Sequence, residues 1–548
     1  MKKKSLLVAV IIIATVTVQA QKLKKADKET MANLQAHVTY LADDKLEGRR
    51  TGSKGEQLAM DYIKTQFEKY GISPKGTAGY FQAFTVNDGK AIGPDTYFSI
   101  NDNKLQPEKD YFPFPYSPDK NIEAMPAVVL QEHDMPWFVD LKDVFADNKD
   151  NPHFDLEAYI YNNAKKATEK LATAIIVYNS SDRDDQLKFK GKDRSEKLAI
   201  PVVYVTKPVA DKFFADKTAP LDIHLRTSIV EKTRTGHNVV GYIDNGAANT
   251  VILGAHFDHL GYGEDGNSML RTGEKQIHNG ADDNASGTAA LIELGRLLKT
   301  SKITGNNYLL IAFSGEELGL LGSKYYTNNP TINLSGANYM INMDMVGRLD
   351  ETQKSISIGG FGTSPQWAQV ITNNKKNYFT IVTDSSGTGP SDHTSFYQKQ
   401  IPVLFYFTGT HADYHKPDDD ANKINYTGQV YIVNHILNVI TQLNKQPKLS
   451  FLPTREKTMR SSGSFKVTLG VMPDYAYTGT GLKIDGVTEG RPAAAAGLKA
   501  GDIVLSIGHL AINNMDAYMQ ALQAFEKGQT VKITFKRGDK TQEASLTF

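Results

Sequence analysis

"TVILGAHFDHLG", residues 250–261, decides the fold. Its first six residues are apolar or small, then His256 follows, with Asp258 two positions on. A short apolar run of this kind reads as a strand buried on both faces. The same arrangement recurs downstream. "NYLLIAFSG" (307–315) runs into Glu316 and Glu317, "NYMINM" (338–343) into Asp344, and "IPVLFYFTG" (401–409) leads to Tyr414 and His415. Between the first two, "NGADDNASG" (279–287) places Asp282 just ahead of the helical "SGTAALIELGRLLK" (286–299). Apolar strands alternating with amphipathic helices over 250–445 predict an α/β domain with helices on the faces of its sheet.

Every one of these polar groups follows the C-terminal end of a strand, the edge at which open α/β sheets bind ligands. Histidines and carboxylates converging there carry too much negative charge without a cation, and imidazole with carboxylate is a zinc-type ligand set. With five candidate ligands, a carboxylate shared between two ions is the economical arrangement. A two-metal site holds a water between the ions and lowers its pKa. The spare glutamate of the Glu316–Glu317 pair is then free to act as general base. Asp258 is placed to accept from the other ring nitrogen of His256. The competing reading of Asp282 and Asp283 is a helix cap, and of the glutamate pair a negative first turn.

"GAHFDHLG", "NGADDNASG", "FSGEELGLLGS", "NMDMVGR" and "ADYHKPDDD" resemble, in order and spacing, the zinc aminopeptidases of peptidase family M28. The resemblance implies a mixed sheet sandwiched by helices, the zinc-exopeptidase fold (phosphorylase/hydrolase-like), and two Zn2+ per chain. It assigns His256 and Asp344 to one zinc, Glu317 and His415 to the other, and Asp282 as the bridge. Glu316 becomes the general base and Tyr414 the stabiliser of the tetrahedral oxyanion. His393, in "SDHTSF", is placed at the substrate site, and His259 and His278 are not ligands. The substrates implied are peptides with a free N-terminus. The rivals are a dizinc carboxypeptidase or dipeptidase, for which Arg348 would meet a substrate carboxylate, a one-zinc glutaminyl cyclase, and a non-catalytic binding protein on the same scaffold. The presence of all five ligands argues against the last two.

The rest of the 548-residue chain frames this domain. A formal net charge of +1 gives no reason to expect nucleic acid or an anionic membrane as partner, and zero cysteines exclude disulfides and thiolate chemistry. "MKKKSLLVAVIIIATVTVQA" has the lysines, apolar run and small residues of a signal peptide cleaved after Ala20. That predicts an exported protein, periplasmic or secreted, with no membrane span after cleavage. Residues 21–87 and 234–445 form the peptidase domain. Residues 88–233 are read as a β-rich insertion, with strands such as "TYFSI", "AMPAVVL", "TAIIVYN" and "IPVVYVT", resembling a protease-associated (PA) domain. Residues 446–464 read as a linker. Residues 465–548, with "RPAAAAGLKAGDIVLSIG", resemble a PDZ domain. There Leu469, Gly470 and Val471 correspond to the loop that captures a peptide C-terminus, by strand addition.

Overall fold

The computed structural model describes residues 24–149, 154–193, 195–270, 272, 274–373, 378–454, 467–473, 480–487, 491–499, 501–513 and 515–548. The signal-peptide reading at 1–20 and most of the linker reading therefore lie outside the described residues.

Two helices open the chain, α1 (Lys25–Leu41) and α2 (Lys54–Lys69). Both bury apolar positions at three-and-four spacing, Leu34, Val38 and Leu41 on the first and Ala59, Ile63 and Phe67 on the second. The main sheet is built from β1 (Phe81–Ile92), β2 (Ile229–Ile243), β3 (Thr250–His256), β4 (Asn307–Phe313), β5 (Ala337–Met343), β6 (Ser355–Gly359), β7 (Thr380–Thr383) and β8 (Val403–Phe407). With the two-residue strand Ser73–Pro74 it has nine strands, in the order Ser73–Pro74, β2, β4, β3, β5, β8, β6, β7, with β1 also on β2. The centre, β4–β3–β5–β8, is parallel, whereas β2 and β6 run antiparallel to their central neighbours. Every residue of β3, β4 and β5 is buried. That is why these strands read as unbroken apolar runs. α3 (Gly287–Thr300) and α5 (Tyr426–Leu443) pack with α1 and α2 on one face, and α4 (Leu321–Asn328) contributes Tyr326 to the core on the other.

The insertion is joined by a ribbon. β1 and β2 stay paired from Phe81↔Val239 out to Ile92↔Ile229, so the boundaries at 87/88 and 233/234 fall inside strands. Beyond the ribbon lie two four-stranded sheets. One is antiparallel and contains Tyr97–Ile100 and Ile223–Thr227; the other has Pro136–Asp140, Ala174–Tyr178 and Val202–Val205 in parallel. They share an apolar layer that includes Phe98, Ile176 and Ile223, while helices Leu141–Asp147 and Leu156–Glu169 cover the other face of the second sheet. "AMPAVVL" (124–130) departs from the strand reading: only Ala124 is in a strand, and Met125, Val129 and Leu130 are exposed. Pro126 offers no amide to a ladder at that point.

The C-terminal unit is a six-stranded sheet with a short helix, Pro492–Ala495, and a longer one, Met515–Ala524. Leu469, Ile484, Val504, Ile507, Ile533 and Leu546 form its core.

Candidate metal centre and cavity

The parallel strands deliver their polar ends to one place. His256 is the last residue of β3, Asp344 follows β5 directly, Glu316 and Glu317 follow β4, and His415 lies on the segment after β8. His256 Nε2 is 3.2 Å from Asp344 Oδ1 and 3.4 Å from Asp283 Oδ1. His415 Nε2 is 3.2 Å from Asp283 Oδ2 and 3.3 Å from Glu317 Oε2. The two halves thus meet on the two oxygens of one carboxylate, Asp283.

Asp282, the residue assigned to the bridge, lies elsewhere. Its Oδ1 accepts from Gly347 N (2.7 Å) and Ser286 Oγ (2.9 Å), and its Oδ2 faces His411 Nε2 at 3.4 Å. The local backbone explains the exchange. The chain leaves helical geometry at Asp283 (φ −102°, ψ 95°) before α3 begins. Consecutive side chains in an extended segment point to opposite sides, so one aspartate faces the cluster and its neighbour faces away. Asp419 Oδ2 fixes this kink by accepting from the amides of both Asp282 (2.9 Å) and Asp283 (3.0 Å).

A further histidine joins the second half. His259 Nδ1 is 2.8 Å from Glu317 Oε1 and 4.0 Å from Asp283 Oδ2. Donor atoms of His256, Asp283 and Asp344 all lie within 4.8 Å of one another, as do those of His259, Asp283 and Glu317. His259, read from the sequence as no ligand, is thus placed against Glu317 and within reach of Asp283. The spacing His256-x-Asp258-His259 held the only available hint, a second imidazole on the same loop. His278 stays outside, bonded to Ser268 Oγ at 2.7 Å.

Asp258 is buried beneath the cluster. The ring nitrogen His256 Nδ1 is nearer the Asp258 carbonyl (3.2 Å) than its carboxylate (3.6 Å). The carboxylate instead accepts from Glu316 N (3.2 Å) and Thr51 Oγ1 (3.0 Å), and so anchors the start of the glutamate pair. His415 Nδ1 lies 2.9 Å from Asn267 O, which leaves Nε2 to face the cluster.

The loop "KLEGRRTGSKG" (45–55) reads as a polar connector, yet it supplies a buried brace. Arg49 is fully buried; it donates to the carbonyls of Phe257 (2.7 Å), Leu41 (2.5 Å), Asn279 (2.6 Å) and Gly280 (3.0 Å). One guanidinium therefore ties together the loops carrying His256 and Asp283. Gly48 (φ +68°) permits the close approach, since a Cβ there would lie 2.6 Å from the carbonyls of Gly261 and His278.

Burial would discharge every group in the cluster, and neighbouring charges decide the outcome. It would lower His256 and His415, but Asp344 and Glu316 around the first, and Glu317 and Asp283 around the second, hold both well above the usual range. It would raise Asp283, which hydrogen bonds from His256 and His415 keep well below the usual carboxylate value. The adjacent glutamates part company. Burial, opposed by His256 but reinforced by Asp344 and Glu317, pushes Glu316 well up. Glu317 would also be raised by burial, but His415 brings it down to about 2.

The cluster forms the floor of a cavity also lined by Met345, Phe405, Phe407, Tyr414 and His393. Tyr414 stacks on His415 with ring centroids 3.9 Å apart, and His393 stacks on Phe405 at 4.4 Å. Arg348 is not among the lining residues. Its Nη2 bonds Asp413 Oδ2 at 3.1 Å, so the expectation that it meets a substrate is not carried by its position. In the C-terminal unit, Leu469 is core, Gly470 N donates to Thr468 Oγ1 (3.1 Å) and Val471 begins an edge strand. Of the three, Gly470 has its amide already engaged.

Residues 238–440 match peptidase family M28. This segment is an M28 peptidase domain. Residues 458–548 match the PDZ domain family. Aminopeptidase YwaD of Bacillus subtilis is 27% identical over 276 residues, 48% of this chain and 55% of its own. Leupeptin-inactivating enzyme 1 of Streptomyces exfoliatus is 31% identical over 199 residues, 34% of this chain and 39% of its own. The chain thus spans about half the length of the curated relatives it matches. Among solved structures, a zinc aminopeptidase from Bacillus subtilis is 18% identical with a TM-score of 0.42, covering 77% of this chain and 95% of that one.

Proposed function

We propose that this chain is an exported aminopeptidase with two zinc ions, which removes N-terminal residues from peptides. The observation that carries the reading is the shared carboxylate of Asp283, with a complete donor set on each side of it. His256 and Asp344 would hold one ion and Glu317 and His415 the other, with Asp283 shared between them and His259 against Glu317. Zinc bound there supplies Lewis acidity at the scissile carbonyl and a lower pKa for the attacking water.

Glu316 sits beside this set, its Oε2 4.0 Å from His256 Nε2, and lines the cavity. It takes the proton of the water as the C–O bond forms and returns it to the departing amine as the C–N bond breaks. Asp258 positions it through the backbone amide. Tyr414, on the wall of the cavity, donates to the tetrahedral oxygen. The substrate ammonium lies against the carboxylates that ring the floor. The insert, resembling a PA domain, limits access to the cavity, and the PDZ domain binds a peptide C-terminus. Export rests on the N-terminal 20 residues. The carboxypeptidase alternative loses its anchor because Arg348 is committed to Asp413.

Metal analysis of the purified protein should find two zinc ions per chain; one or none contradicts the two-ion reading. Glu316→Gln should retain the metal and lose about 10²–10⁴-fold in kcat. N-acetylated peptides should resist cleavage, and equal cleavage of blocked and free peptides would rule out an aminopeptidase.

A further inference from the structure

The cavity extends from the cluster towards the β7 edge of the sheet, where it is lined by Ser357, Asp384 and Ser386. Asp344 follows β5 and Asp384 follows β7, with β8 and β6 between them. The lateral offset is three strand spacings, ~14 Å, and because β7 runs antiparallel to β5, Asp384 stands level with Gly359 and Phe405 rather than with the end of β5. Asp384 is held by its backbone, its amide donating to Ile358 O at 3.0 Å.

The wall between the two ends is aromatic. Phe405 and Phe407 are stacked with centroids 5.7 Å apart, and in register they stand opposite Gly359 and Ser357 of β6. Gly359 has no side chain to close this wall; a Cβ there would come within 3.4 Å of Phe405 Cβ. At the far end, Asp384 is exposed and Oδ1 accepts from Ser386 N at 3.1 Å. Among the described residues no lysine or arginine lies within ion-pair distance of it. A carboxylate with no cationic partner among the described residues, at the end of an aromatic wall, matches a side chain with a long methylene stem and a terminal cation.

We propose that Asp384 sets the specificity of the site, selecting peptides whose N-terminal residue is lysine or arginine. The proposal rests on the aminopeptidase reading. With its ammonium and scissile carbonyl at the cluster, such a residue lays its stem along Phe405 and Phe407 and its cation at Asp384. A short or branched apolar residue fills the throat and leaves the carboxylate to solvent.

The test uses the full-length zinc-loaded protein and Lys-, Arg-, Leu- and Met-chromophore substrates. The readout is the ratio of kcat/KM for Lys or Arg to that for Leu or Met, which serves as its own control for folding and metal content. The wild type should favour Lys and Arg about tenfold, and added salt should erode that ratio. Asp384→Asn should bring the ratio close to one, and Asp384→Lys should invert it. A wild type that releases Leu or Met as well as Lys and Arg overturns the proposal, as does an Asp384→Asn ratio equal to that of the wild type. Release of no residue from any member of the series defeats the aminopeptidase reading itself, and the proposal falls with it.

Discussion

Asp282 and Asp283 are neighbours in sequence and differ in everything their carboxylates touch. Asp283 spans the two halves of the cluster, and Asp282 serves the backbone of Gly347. Asp283→Asn should lower activity by 10³-fold or more and reduce zinc per chain. Asp282→Asn, measured in the same metal analysis, should keep its zinc. The opposite pattern would return the bridge to Asp282. The residue types of this site were legible because strand ends put them on one edge; the choice between adjacent aspartates was not. It depends on Asp283 and Asn284 leaving helical φ/ψ, which no spacing records. Arg49 was hidden for a related reason, since a polar loop reads as solvent-facing until its carbonyl partners are known. Burial lowers the Arg49 pKa to about 10, and the four carbonyls hold it in place. Arg49→Met should destabilise the domain by about 3 kcal/mol or more, read as a loss in denaturant midpoint.

At the scale of elements, the loop 258–270 couples the insert to the second half of the metal centre. Asp265 binds Arg50 (2.8 Å) and Arg234 (2.9 Å) of the peptidase domain and Lys192 (3.0 Å) of the insert. Two residues on, Asn267 meets His415 Nδ1 and donates to Glu317 O. Burial would raise the Asp265 carboxyl, but hydrogen bonds from Arg50 and Arg234 hold it far below the ordinary value near 4. A depressed carboxylate stabilises the folded state above its unfolded pKa, and that contribution fades as pH falls below about 4. The clasp should therefore persist from neutral pH down to about 4 and open only in stronger acid. Asp265→Asn should cost about 2 kcal/mol, discounted for partial exposure, and speed hydrogen exchange in 262–270 at neutral pH. Unchanged exchange would separate the insert from the centre. None of this clasp was legible, because Arg50, Lys192 and Asp265 are far apart in sequence and sit in loops without periodicity. The strands β3, β4, β5 and β8, by contrast, were legible, since burial enforces apolar runs there, whereas β6 and β7 are only partly buried and gave no such run.

For the whole molecule, the proposed metal centre has a consequence for stability. Stripping zinc with a chelator should lower the calorimetric midpoint by roughly 5–10 °C, and zinc but not magnesium should restore it. An unchanged midpoint would mean that the cluster is balanced by its own protons. The ribbon of β1 and β2 has a different consequence, in time rather than in space. β2 provides both the partner of β1 and the neighbour of β4, and it begins at Ile229, after the whole insert. During synthesis the N-terminal helices and β1 have no sheet to join until more than a hundred intervening residues have emerged. The insert is thus available to fold first, as a unit, and β2 then closes the peptidase sheet around contacts that are distant in sequence. A damaged insert would delay assembly of the proposed metal centre, whose cavity no described residue of the insert lines.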